Sequence, residues 1–166
     1  MEYTSAQANK LLRQLQEEHN AVITREAQSR KFVAATVEDP EQARPAYDYD
    51  ETQARLALLE RQIRTVKHAI NAFNLTHCPE GFNMTVDQML IYIPQLTSRK
   101  QKLSAMTAVL AKRRLPSSGS EIIEYEYANY DLAKAEQALA DTSAELNRAQ
   151  LALDRLNSTE TMTITL

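Results

Sequence analysis

Apolar residues return every three to four positions along four long stretches of the chain, and the clearest stretch is the last. Over residues 128–157, ANYDLAKAEQALADTSAELNRAQLALDRLN, one row is Leu132, Leu139, Leu146 and Leu153, and a second row three residues on is Ala135, Thr142, Ala149 and Leu156. Two rows at a spacing of seven make a heptad seam, which lets a helix bury a narrow stripe against another helix. The pattern predicts a helix over 128–157 with a partner, and it names no reaction.

Three further helices follow from weaker versions of the same pattern. The first spans about 4–33, starts at Thr4 or Ser5 as a cap, and carries Ala8, Leu12, Leu15, Val22 and Val33, with His19 and Glu26 intruding on the stripe. The second, about 51–74, fills both rows with large side chains: Leu56, Ile63 and Ile70, then Leu59, Val66 and Phe73. These bulky rows are expected to fill the space left by Ala135 and Ala149 of the last helix, six side chains at ~1.5 to 3 kcal/mol each before entropy is counted. The third, about 85–112, opens in the capping box Thr85, Val86, Asp87, Gln88 and continues through Met89, Ile93, Leu96, Leu103 and Leu110, with a kink expected at Pro94.

Breakers separate these helices. Residues 34–50 hold Pro40, Pro45 and five acids and read as an acidic solvated loop, with Tyr47 and Tyr49 as candidates to pin it. Pro79 and Gly81 give a Pro-Glu-Gly turn, and PSSGS follows Leu115. Short β segments are expected near 121–127 (EIIEYEY) and 160–166, where Met162, Ile164 and Leu166 alternate with threonine. The fold class is therefore mainly α: long antiparallel helical hairpins of three to four helices, packed like coiled coils, in one domain over residues 1–166.

Composition agrees with this reading. Two glycines leave few tight turns. A net charge of −3 gives no field for nucleic acid or an anionic membrane. No apolar run suggests a signal peptide or a spanning helix, and a lone Cys78 has no partner for a disulfide, so a cytoplasmic protein is expected.

Candidate chemistry is thin. His68, His77 and Cys78 lack the spacing of a metal set, and no Cys-x-x-Cys or His-x-x-x-His occurs. No nucleophile elbow, phosphate loop or Glu-x-x-His pair is present. No catalytic, cofactor-binding or metal residue is assigned, and neither enzyme activity nor a cofactor is expected. The basic set Arg99, Lys100, Lys102, Lys112, Arg113 and Arg114 is placed at the end of the third helix, where cations complement the helix dipole. Its sharper reading is a contact for RNA or an acidic protein.

The junctions ANKLLRQLQ, INAFNLT, MTVDQML and SEIIEYEYANYDLAKAEQALADTSAELNRAQLALDRLN resemble a group of small bacterial proteins labelled septicolysin-like, across nearly the whole chain. The resemblance implies a helical homo-oligomer, with a hexamer as its size, and no established activity. It does not carry over a cytolysin function, since the chain has no tryptophan-rich membrane loop. Residues and resemblance together lead to a structural or interaction protein that associates with itself through helical seams, because several helices carry stripes in a chain too short to surround each. The alternative is a small binding module using the basic cluster 99–114.

Overall fold

The computed structural model describes residues 1–116 and 122–166. Residues 117–121, which hold most of the PSSGS breaker and the first residue of the expected 121–127 strand, lie outside the described residues. The described chain is mainly α-helical with short antiparallel strands. It divides into two compact units, Met1–Thr76 with Asn157–Leu166, and His77–Leu156.

In the first unit, strand β1 (Glu2–Thr4) runs straight into helix α1 (Ser5–Ser29). Thr4 closes a capping box: the Gln7 N–H donates to Thr4 Oγ1 at 3.3 Å, and the Thr4 N–H donates to Gln7 Oε1 at 2.9 Å. Ala8 and Leu15 are buried on the expected stripe. The helix stops four residues short of the expected end, and Val33 is 94% exposed. Val33 and Val37 are both exposed, so the segment lacks the tertiary contacts from which most helical stability comes.

The expected 34–50 loop contains a short helix, α2 (Pro40–Ala43), with Asp39 as its cap and Pro40 in its first turn. Helix α3 (Tyr49–Thr76) follows, and Asp48 Oδ1 accepts from the Glu51 N–H at 2.9 Å. The predicted row Leu59, Val66 and Phe73 is buried, as is Ile70, while Leu56 and Ile63 are half-buried. Helices α1 and α3 pack side by side. They run antiparallel, since Glu26 meets Gln53 while His19, earlier on α1, meets Glu60, later on α3. Strand β4 (Thr161–Thr163) pairs antiparallel with β1, Tyr3 opposite Met162. Its alternation sends Met162 and Ile164 inward and leaves Leu166 exposed.

The second unit begins in the predicted turn. The Phe82 N–H donates to the Pro79 carbonyl at 3.1 Å, and Gly81 at φ 78° supplies the left-handed residue this turn needs. Thr85 then caps helix α4 (Val86–Thr107) in the expected capping box with Gln88. The helix runs through Pro94, which is exposed, and Leu90, whose carbonyl loses its usual partner there, is 50% exposed, so water can serve it. Strands β2 (Lys112–Arg114) and β3 (Tyr125–Tyr127) pair antiparallel. Helix α5 (Leu132–Thr159) starts later than residue 128 because Asp131 Oδ1 accepts from the N–H groups of Ala133 at 2.9 Å and Lys134 at 3.3 Å and so caps it. From Asn157 its final turn belongs to the first unit.

Six of the eight predicted seam positions of α5 are buried: Ala135, Thr142, Ala149 and Leu156 of one row, and Leu146 and Leu153 of the other, where Leu132 and Leu139 are half-buried. Within the unit, α4 packs on this seam. Leu146 and Ala149 share a core with Met89 and Leu96 of α4, edged by Phe82, Met84, Tyr92 and Ile93, while the bulky rows of α3 lie along α1. Ala149 makes room for methionine and leucine on α4, a fit that heptad spacing alone does not distinguish from one with α3.

Candidate interaction surface

The basic cluster 99–114 is divided between two elements. Helix α4 ends at Thr107 and holds no cation in its last turn, so the helix-dipole account of the cluster fails. Arg99 and Lys102 line a groove between α4 and α5 with Leu103, Met106, Ala138 and Asp141. Lys112, Arg113 and Arg114 instead form β2, which the sequence pattern had assigned to the tail of the third helix.

The register of this hairpin decides what each side chain does. Directly opposed residues share a face and neighbours along a strand alternate. Lys112 stands opposite Tyr127, Arg114 opposite Tyr125, and Arg113 opposite Glu126. One face therefore holds two cations and two tyrosines. The other holds the Arg113–Glu126 ion pair at 3.0 Å. On the first face the Lys112 ammonium lies 4.1 Å from the centroid of Tyr125 and 5.5 Å from that of Tyr127, in cation–π range of both. All six strand residues are exposed.

The hairpin is fastened at its base. The Ala128 N–H donates to the Ala111 carbonyl at 3.2 Å, and the Tyr130 hydroxyl donates to the Met106 carbonyl at 2.7 Å, tying the residues after β3 to the end of α4. At the other end the Leu115 N–H donates to the Glu124 carbonyl at 3.0 Å. Aromatic residues are thus interleaved with the cations after all, but across the sheet rather than along the sequence.

The first unit gathers a second polar group. Tyr47 donates to Glu26 Oε1 at 2.9 Å, Gln53 Nε2 donates to the same oxygen at 2.8 Å, and Arg55 bonds Glu18. Tyr47 is half-buried and does pin the loop, whereas Tyr49 is 63% exposed in the first turn of α3. Burial first, and then the bond to Glu26, raises the Tyr47 hydroxyl above its ordinary value. A tyrosine held protonated in this way is a hydrogen-bond donor, not a base. In the second unit Tyr92 repeats the arrangement with Glu145 at 3.1 Å, raised for the same two reasons.

His19, flagged as an intrusion on the α1 stripe, lies 3.6 Å from Glu60. The polar breaks in that stripe are thus contacts across α1 and α3. His68 is exposed on α3, Cys78 is exposed, and the His77 carbonyl accepts from the Val86 N–H at 2.9 Å. Among the described residues no group of three or more His, Cys, Asp and Glu side chains could hold a metal ion, and no helix is long and apolar enough to cross a membrane.

Fold and surface together define a class: paired-helix units with short antiparallel strands and an exposed basic–aromatic ribbon. The chain is similar to a conserved protein of unknown function from Corynebacterium diphtheriae, known from its crystal structure, at 19% identity and a TM-score of 0.59, over 98% of this chain and 100% of that one. That similarity concerns the fold alone. No family model matches the chain, and no curated protein matches it.

Proposed function

We propose that this is a structural or interaction protein that associates with copies of itself, without a reaction of its own. The observation that carries the reading is apolar area left open on the helices: Leu90 and Ile91 on α4, Leu151 on α5 and Ile23 on α1 are exposed.

Membership of the septicolysin-like group and a hexameric size belong to the same proposal, supported by the INAFNLT and MTVDQ junctions, which coincide with the end of α3 and the cap of α4. So does a cytoplasmic setting, in keeping with the exposed, lone Cys78. Sedimentation equilibrium over a hundredfold dilution tests the reading: mass should fall toward 18.8 kDa only at the lowest concentrations. A species of 18.8 kDa throughout would overturn it.

A second reading, a small module that takes RNA or an acidic protein on the cluster 99–114, is favoured by the Lys112, Arg114, Tyr125 and Tyr127 face. Retention of an RNA oligomer that falls with salt supports it; no retention at low salt removes it.

A further inference from the structure

We infer that the Lys112, Arg114, Tyr125 and Tyr127 face of one copy docks on the acidic loop of residues 34–50 of a second copy. This rests on the self-association proposed above and names its surface.

The two segments are complementary in charge and alike in exposed apolar area. From Gln88 to Pro116 the sequence has six cations and no acid, so the remaining residues carry thirteen cations against twenty-two acids. The acids are dense in 34–50: Glu41 pairs with Arg44 at 2.7 Å, and Glu38, Asp39, Asp48 and Asp50 remain as net negative charge. Several of those carboxylates accept backbone N–H groups, Glu38 from Ala35, Asp39 from Glu41 and Asp48 from Glu51, which fixes the loop and leaves the charge in place. Val37 at 95% and Tyr49 at 63% exposure stand among them.

On the hairpin the register separates the signs. Arg113 and Glu126 neutralise each other on one face, and the other presents two cations beside two exposed tyrosines, with Ile123 exposed just before β3. A two-stranded ribbon with all six residues exposed is marginal by itself, and burial of this face against a partner stabilises it. Two cations on a face neutralise too few phosphates for firm RNA binding, and the chain as a whole is acidic. The acidic partner nearest in supply is another copy. Because the two surfaces differ, the contact is head to tail, and it closes into a ring when the rotation permits.

The test is a charge swap read by sedimentation of the full chain. Wild type should lose mass as salt rises from about 0.1 M to about 1 M, where the screening length falls from about 10 Å to about 3 Å. Lys112→Glu with Arg114→Glu should shift the protein to 18.8 kDa, and Glu38→Lys with Asp50→Lys should do the same. The four changes together should restore assembly. Arg113→Gln, on the opposite face, should leave the mass as in wild type, and the neutral pair Lys112→Gln with Arg114→Gln should weaken assembly if the reversed pair disturbs helicity by circular dichroism.

Wild type at 18.8 kDa in every condition would remove the self-association reading and this inference with it. An assembled wild type with an equally assembled Lys112→Glu, Arg114→Glu variant, or a four-residue swap that stays monomeric, would overturn this inference alone. So would a reversed pair that loses retention of an oligouridine while keeping its mass, since nucleic acid would then be the occupant.

Discussion

Arg113 and Glu126 face each other in the β2–β3 register and close an ion pair at 3.0 Å, so the middle cation of the Lys-Arg-Arg run is neutralised within the hairpin. That relationship turns a block of three like charges into a two-faced ribbon. Exposed pairs of this kind are worth ~0.2 to 1 kcal/mol at most. Strand alternation, not the pair, sets the faces: the register that lets Arg113 meet Glu126 also puts Lys112 and Arg114 on the side of Tyr125 and Tyr127.

Tyr47 holds the acidic loop to α1 through Glu26. Tyr47→Phe removes the donor while keeping the ring, and a glutamate-specific protease should then cut faster after Glu41, within that loop, than in wild type. Unchanged cleavage would show that the bond does not hold the loop.

Alkaline pH should loosen both units. Tyr47 and Tyr92 are raised from 10.0 by burial and by their bonds to Glu26 and Glu145. A raised folded value means the stabilisation is fully present below the unfolded value near 10.0 and is lost as pH climbs through the folded one. Melting temperature measured from pH 8 to 11 should fall above pH 10, and Tyr47→Phe with Tyr92→Phe should flatten that part of the fall. An equal slope in the double variant would contradict this.

The α5 seam predicts a contrast between neighbours. Leu146→Asp places a charge in the core shared with Met89, Leu96 and Ala149, and should cost several kcal/mol, ~3 or more. Leu151→Asp, at a position 70% exposed, should stay within about 0.5 kcal/mol of wild type in the monomeric state. Urea unfolding of the two variants reads the difference.

Capping supplies a finer check. Thr85→Ala removes the acceptor for the Gln88 N–H and should lower stability by ~1 kcal/mol in the unit that contains α4. Thr85→Ser should keep most of it, as judged by the same urea curves.

Local patterns were readable in the sequence and distant pairings were not. The two α5 rows, the Leu59, Val66 and Phe73 row, the Thr85 capping box and the Gly81 turn rest on spacings within a few residues, and each is in place. Strands β1 and β2 escaped because each is three residues long and exists only through a partner far along the chain, Glu2 opposite Thr163 and Lys112 opposite Tyr127. Helix α2 did leave a signal, Asp39-Pro40-Glu41, an N-cap followed by proline, within a stretch whose prolines and acids read as a loop. A leucine–alanine row fits any bulky row of the same period, so its spacing does not name Met89 and Leu96, which meet Leu146 and Ala149 within the unit. Of the candidate surface, the cations were visible as a cluster, but their company with Tyr125 and Tyr127 arises only when β2 and β3 pair.

Native mass spectrometry of the purified full chain at micromolar concentration tests self-association most directly. The account predicts a discrete species at a whole-number multiple of 18.8 kDa, and a spectrum showing only the 18.8 kDa chain would contradict it.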